Sequence, residues 1–114
     1  GPPPHRHSRE DEGFFVLDGT LALYADGTRV EAGPGTFVNL PDGVPHWFRN
    51  ESAAPVRVLI LVAPGAFADM FRETGTPVTD PTAPITPVSD AEKAKLVAAA
   101  PRYGIELLPP PGHG

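Results

Sequence analysis

Residues 5–19 read HRHSREDEGFFVLDG, and this stretch decides the fold. Its second half, Phe14-Phe15-Val16-Leu17, is an apolar run bounded by Gly13 and by Asp18-Gly19. A short run between turn residues reads as a strand. The first half sets His5 and His7 two residues apart. Side chains at i and i+2 of a strand project to one face, so both imidazoles can reach one point. Glu12 follows five residues after His7, close enough to bring an oxygen to the same place.

The same punctuation continues outward to residue 62. Residues 21–24 run into Asp26-Gly27, and residues 28–31 follow. Asp-Gly between two apolar runs signals a hairpin, because a type I′ turn needs positive φ at both central positions. Further strands are read at residues 36–40, 45–50 and 56–62, separated by Gly33-Pro34-Gly35, Pro41-Asp42-Gly43 and the loop 51–55. Turns recur about every 8–12 residues, the spacing of an all-β sandwich or barrel. Beyond residue 65 the pattern changes. Residues 66–72 read as a short helix with Phe67, Met70 and Phe71 on one face. Residues 75–88 carry four prolines and read as extended chain. Ser89-Asp90-Ala91-Glu92 fits a capping box for a helix reaching about Ala100, where Pro101 is expected to stop it. Residues 102–108 read as a last extended piece and 109–114 as a flexible tail.

Composition removes whole classes of function. The chain has 114 residues, a net charge of −5 and no cysteine, so disulfides, iron–sulfur clusters and thiolate zinc sites are excluded. It lacks the basic stripe that nucleic-acid or membrane-surface binding needs. No apolar run nears the ~20 residues of a membrane span, and no signal peptide is recognised. A cytoplasmic protein is expected. Gly and Pro supply 28 of the residues, a fraction near that of low-complexity chains, but through residue 65 they fall at the turns.

His46 completes a donor set. With His5, His7 and Glu12 it gives three imidazoles and one carboxylate, enough to hold one divalent transition metal (Fe, Ni, Mn, Co or Zn) and leave room for water or substrate. His113, in the Pro-Gly tail, reads as a solvated residue. Glu10 and Asp11 could compete with Glu12; spacing favours Glu12, and the run Arg9-Glu10-Asp11 reads as solvated surface.

These residues carry a resemblance. His5, His7, Glu12 and Gly19 stand as H-x-H-x4-E-x6-G, and Gly35, Pro41, Gly43, His46 and Asn50 as G-x5-P-x-G-x2-H-x3-N. The pair resembles the two signature motifs of the cupin superfamily, with the short 15-residue interval of small single-domain bacterial members. The resemblance implies a β-barrel or jelly roll over residues 1–65, with the metal inside, and short C-terminal helices and extended chain over 66–108 packed on it. It also implies strands ahead of the first motif, which are expected to lie outside this sequence.

The activity implied is that of a quercetinase-like, metal-dependent dioxygenase acting on a small apolar or aromatic substrate, phenolic or dicarbonyl, with Glu12 as base. A metal-dependent isomerase, cyclase or lyase, or a non-catalytic ligand-binding member, is the alternative. Strand alternation turns Phe14 and Val16 inward from Glu12, and Phe48 and Asn50 inward from His46. With Met70 from the helix they form the expected substrate pocket, although Phe14 and Phe48 would serve equally as barrel core. Val56, Val58, Ile60 and Val62 take one face of the last long strand, Leu59 and Leu61 the other. A strand apolar on both faces calls for a cover on both. A second copy, making a homodimer, is expected; the C-terminal helix is the alternative cover.

Overall fold

The computed structural model describes residues 1–110; the remainder of the expected flexible tail, with His113, lies outside the described residues. The described residues form eight strands: β1 (His5–His7), β2 (Asp11–Asp18), β3 (Leu21–Ala25), β4 (Thr28–Ala32), β5 (Phe37–Leu40), β6 (His46–Arg49), β7 (Arg57–Ala63) and β8 (Ile105–Leu107). Two helices, α1 (Ala68–Thr74) and α2 (Asp90–Ala99), lie between β7 and β8. The strands make two antiparallel sheets, one ordered β4-β3-β6-β1-β8 and the other β5-β2-β7. The sheets are not closed edge to edge into a barrel, but the all-β architecture stands. No helix among the described residues is long and apolar enough to cross a membrane.

Turn chemistry sets the strand ends. Asp26 (φ 48°) and Gly27 (φ 80°) turn β3 into β4 with positive φ at both central positions, the geometry their sequence signals. Gly19, the glycine that closes the first motif, has φ 75°. A Cβ there would stand 2.5 Å from the Pro55 carbonyl oxygen, so both backbone conformation and space demand glycine.

One core joins the sheets. Phe14 and Val16 of β2 and Leu40 of β5 meet Leu21 and Leu23 of β3 and Ala32 of β4, all buried. A second cluster gathers Phe67, Met70, Ala99, Ala100 and Ile105, with Val62 and Leu96 packed against it. The helical segment is thereby anchored beside the end of β7. The Ser89–Glu92 capping box forms in full at the start of α2. The α-helix ends at Ala99, beside its expected end, and the path runs on as a 3₁₀ turn through Pro101. Pro101 sits in the first turn of that 3₁₀ segment, Ala100–Tyr103, where its missing N–H costs nothing. Phe67 likewise lies in a 3₁₀ turn ahead of α1, and Phe71 is 59% exposed, so the expected three-residue stripe is not one buried face. Residues 75–88 hold no helix or strand.

Pairing of β2 with β7 sets Glu12, Phe14 and Val16 beside Val62, Ile60 and Val58, and Gly13 and Phe15 beside Leu61 and Leu59. Leu59 and Leu61 are about half exposed, and Phe37 beside them is 56% exposed. Its ring lies over Gly13, 2.8 Å from where a Cβ would stand. Val62 packs against the cluster that α2 joins through Ala99, and the outer face at Leu59 and Leu61 stays uncovered among the described residues.

Candidate metal centre

The centre is built by strand phase and one cross-strand register. β1 alternates buried, exposed, buried, so His5 and His7 turn inward and Arg6 outward. β1 lies between β6 and β8, and His5 pairs directly with His46. Direct antiparallel neighbours bring their Cβ atoms to about 5 Å, which is how a histidine far along the chain reaches the first pair. Glu12 comes from the opposite sheet, on β2. The turn of the second motif is tied to the first by Gly43 N–H, which donates to the His7 carbonyl at 2.6 Å.

All four side chains are buried, and one ligand atom from each lies within 4.8 Å of the others. The Nδ1 of His5 donates to the Pro3 carbonyl (2.8 Å) and that of His46 to the Val44 carbonyl (2.9 Å), since a carbonyl can only accept. His46 Nε2 stands 2.9 Å and His7 Nε2 3.2 Å from Oε2 of Glu12. Neither ring nitrogen of His7 has a hydrogen-bond partner among the described residues, although the ring is 2% exposed. Buried polar atoms are almost always partnered, so an orphaned imidazole beside three other donors fits a site for a cation. The donor set itself, nitrogen-rich with one oxygen, suits a divalent transition metal.

The electrostatics agree. Burial pushes the Glu12 carboxyl up, but the imidazoles of His46 and His7 outweigh it and hold the group at about 2. Glu12 is therefore a carboxylate at neutral pH, as a ligand must be. Burial, with the neighbouring His46 and His7, outweighs the Pro3 carbonyl and lowers the pKa of His5. A neutral imidazole is the form that binds metal.

A cavity of about 340 Å³ opens on this centre, with His5 and Glu12 in its wall. Phe48, Ile60 and Val62 line it from the sheets, and Phe67, Met70 and Phe71 from the segment after β7. Its wall holds no arginine or lysine among the described residues. Phe67 also caps His7, ring edge to face at 5.1 Å.

Of the expected pocket residues, Phe48 and Met70 line this cavity; Phe14, Val16 and Asn50 stand elsewhere. Each two-residue step along β2 moves the side chain about 7 Å from Glu12. Phe14 therefore lies in the inter-sheet core, against Phe48 (5.1 Å between rings), and Val16 deeper still. Asn50 follows the end of β6 and holds the next loop, donating to the Ala54 carbonyl and accepting from Ser52. The solvated reading of residues 9–11 also fails at its middle position. Glu10 is 2% exposed, with Oε2 3.8 Å from Nδ1 of His7. The chain crosses between the sheets there, so the strand alternation that placed Glu12 does not extend back to it. Ile105 and Leu107, read only as extended chain, form the strand beside β1 and join the cavity wall.

Three imidazoles and a carboxylate gathered between two antiparallel sheets define a class, the jelly-roll-like β proteins with a donor set consistent with a divalent metal. The cupin domain family matches residues 1–62, more than half the chain, and the chain belongs to that family. It is similar to quercetin 2,3-dioxygenase of Bacillus subtilis (strain 168), 34% identical over 73 residues, covering 64% of this chain and 21% of that enzyme. Quercetin 2,3-dioxygenase of Aspergillus japonicus is 32% identical over 85 residues, covering 69% of this chain and 24% of the enzyme. The chain thus spans less than a quarter of either enzyme's length. Among solved structures, TT1209 from Thermus thermophilus superposes with a TM-score of 0.53 at 32% identity, over 55% of this chain and 60% of that one.

Proposed function

We propose that the chain is a metal-dependent, dioxygenase-type oxidoreductase acting on a small apolar or aromatic substrate of phenolic or dicarbonyl type. The observation that carries it is the cavity: apolar in its wall, without an arginine or lysine among the described residues, and meeting the His/Glu cluster at His5 and Glu12. The similarity to two quercetin 2,3-dioxygenases supports the same class. His5, His7, Glu12 and His46 would hold the metal, which when bound acts as a Lewis acid toward substrate oxygen.

The protein's own residues supply the rest. Phe48, Ile60, Val62 and Met70 exclude water and bury a flat ring. An anionic substrate would meet no arginine or lysine in this wall among the described residues, which favours an apolar one. Glu12 is the one carboxylate of the cavity among the described residues, and in this reading it takes the proton of a substrate hydroxyl. Its low pKa comes from the imidazole nitrogens facing it, the atoms a metal would claim, so that value belongs to the metal-free site.

Oxygen uptake tests the proposal. Protein loaded separately with iron, nickel, manganese, cobalt and zinc is presented with flavonols and 1,3-diketones at an oxygen electrode. Consumption stoichiometric with substrate loss is expected for at least one metal. Ligand binding without oxygen uptake under any metal would sink the dioxygenase reading in favour of a non-catalytic binding protein.

A further inference from the structure

The three imidazoles are not backed alike. His5 and His46 each donate Nδ1–H to the carbonyl two residues earlier, Pro3 and Val44. For His7 the residue two earlier is His5, which sits in the strand ladder between β6 and β8. No backbone carbonyl takes its Nδ1, which has no hydrogen-bond partner among the described residues. The group facing that nitrogen is Glu10, three residues on, with Oε2 at 3.8 Å. Both side chains are 2% exposed, and the Glu10 oxygen is itself without a hydrogen bond. Among the described residues no arginine or lysine pairs with Glu10; the neighbouring Arg9 donates to the Arg102 carbonyl instead.

A buried carboxyl oxygen with no hydrogen-bond partner is costly to keep. It is explained if its partner is the imidazole N–H of a metal-bound histidine. A carboxylate behind such a ring fixes its tautomer and orientation and raises its basicity as a ligand.

The geometry points to Glu10 as the positioning residue of His7: its carboxyl group faces Nδ1 at 3.8 Å and, with metal bound, would close on Nδ1–H as its acceptor, keep Nε2 turned toward Glu12 and His46, and tighten metal binding. The inference rests on the metal-binding reading of the cluster. It makes His7 the one imidazole of the three backed by a side-chain carboxyl group rather than a backbone carbonyl.

The test is zinc titration by calorimetry of wild type, Glu10→Gln and Glu10→Ala, with melting of the metal-free proteins alongside. Zinc affinity is expected to fall about 10- to 100-fold, less for Gln, which keeps an acceptor oxygen, than for Ala. Metal-free stability of the Gln variant is expected to hold, because the buried Oε2 of Glu10 makes no hydrogen bond that the change would remove. In the zinc-loaded protein the Nδ1 proton resonance of His7 is expected to shift upfield in Glu10→Ala, with those of His5 and His46 unmoved. If wild type binds zinc and both variants match it within about twofold, the inference is overturned while the metal reading survives. A fall in affinity that only tracks lost metal-free stability, with the His7 resonance unmoved, also overturns it. A wild type that binds neither zinc nor, titrated the same way, iron, nickel, manganese or cobalt overturns both. Should Glu10→Ala fail to fold, the Gln variant decides.

Discussion

Replacing His46 by alanine tests the centre most directly. In the metal-free protein the change removes the 2.9 Å contact to Glu12 and leaves that carboxylate with His7 alone. Losing a hydrogen-bond partner of a buried group costs about 1–3 kcal/mol, so the variant melts lower before any metal is added. The informative quantity is therefore the gain on adding zinc. Structural zinc sites bind with about 10–16 kcal/mol, so one ligand of four accounts for roughly 3 kcal/mol, about a hundredfold in affinity. With zinc at about 1,000 times the wild-type dissociation constant, linkage stabilises wild type by about 4.1 kcal/mol and the variant by about 1.4 kcal/mol. For a chain of this size the difference is worth about 10 °C in melting temperature. Scanning calorimetry with and without zinc reads it, and His113→Ala, outside the described residues, is the control expected to keep the whole gain. A His46→Ala protein that gains as much as wild type would show that His46 is not a ligand.

Three further outcomes are expected. Phe67→Ala should cost about 3 kcal/mol in urea unfolding, because the ring is buried against His7 and Phe71; a loss below about 1 kcal/mol would mean that the segment after β7 packs only loosely on the centre. Metal-free stability should fall with acid in two stages. The folded-state pKa of His5 lies below its ordinary 6.5, so the unfolded chain takes up the proton first and stability drops as pH falls through 6.5. The folded-state pKa of Glu12 is depressed, so its contribution is present above 4.5 and lost as pH falls toward 2; urea midpoints at about pH 7.5, 5.5 and 3.5 in chelator check the order, and a flat profile refutes it. The half-exposed Leu59, Leu61 and Phe37 are the face on which we propose that a homodimer forms; sedimentation should give a dimer for wild type and a monomer for Leu61→Glu, and a monomeric wild type ends the proposal.

Much of the centre is legible in the sequence because it rests on rules of short range. His5 and His7 share a face by strand alternation alone, and Gly19 and Gly27 sit where a turn needs positive φ. The Ser89 capping box is a four-residue pattern and forms as read. Local rules fail where the chain leaves its element. Asn50 faces inward only if the alternation of β6 continues one residue beyond its end, where the side chain instead closes a loop. Phe14 and Val16 do face inward, but facing inward is not the same as lining the cavity, because β2 runs away from the centre into the inter-sheet core.

By itself, then, the sequence determined the all-β class, the turns and the set of four candidate donors, because spacing along a strand fixes the side from which each side chain leaves. Three things were decided only by tertiary structure: the register that sets His5 opposite His46, the β8 strand that returns from residue 105 to brace β1, and the burial of Glu10 behind His7. Each depends on which distant segments become neighbours, and that is settled by the packing of two sheets against each other rather than by any property of the residues in their own stretch of chain.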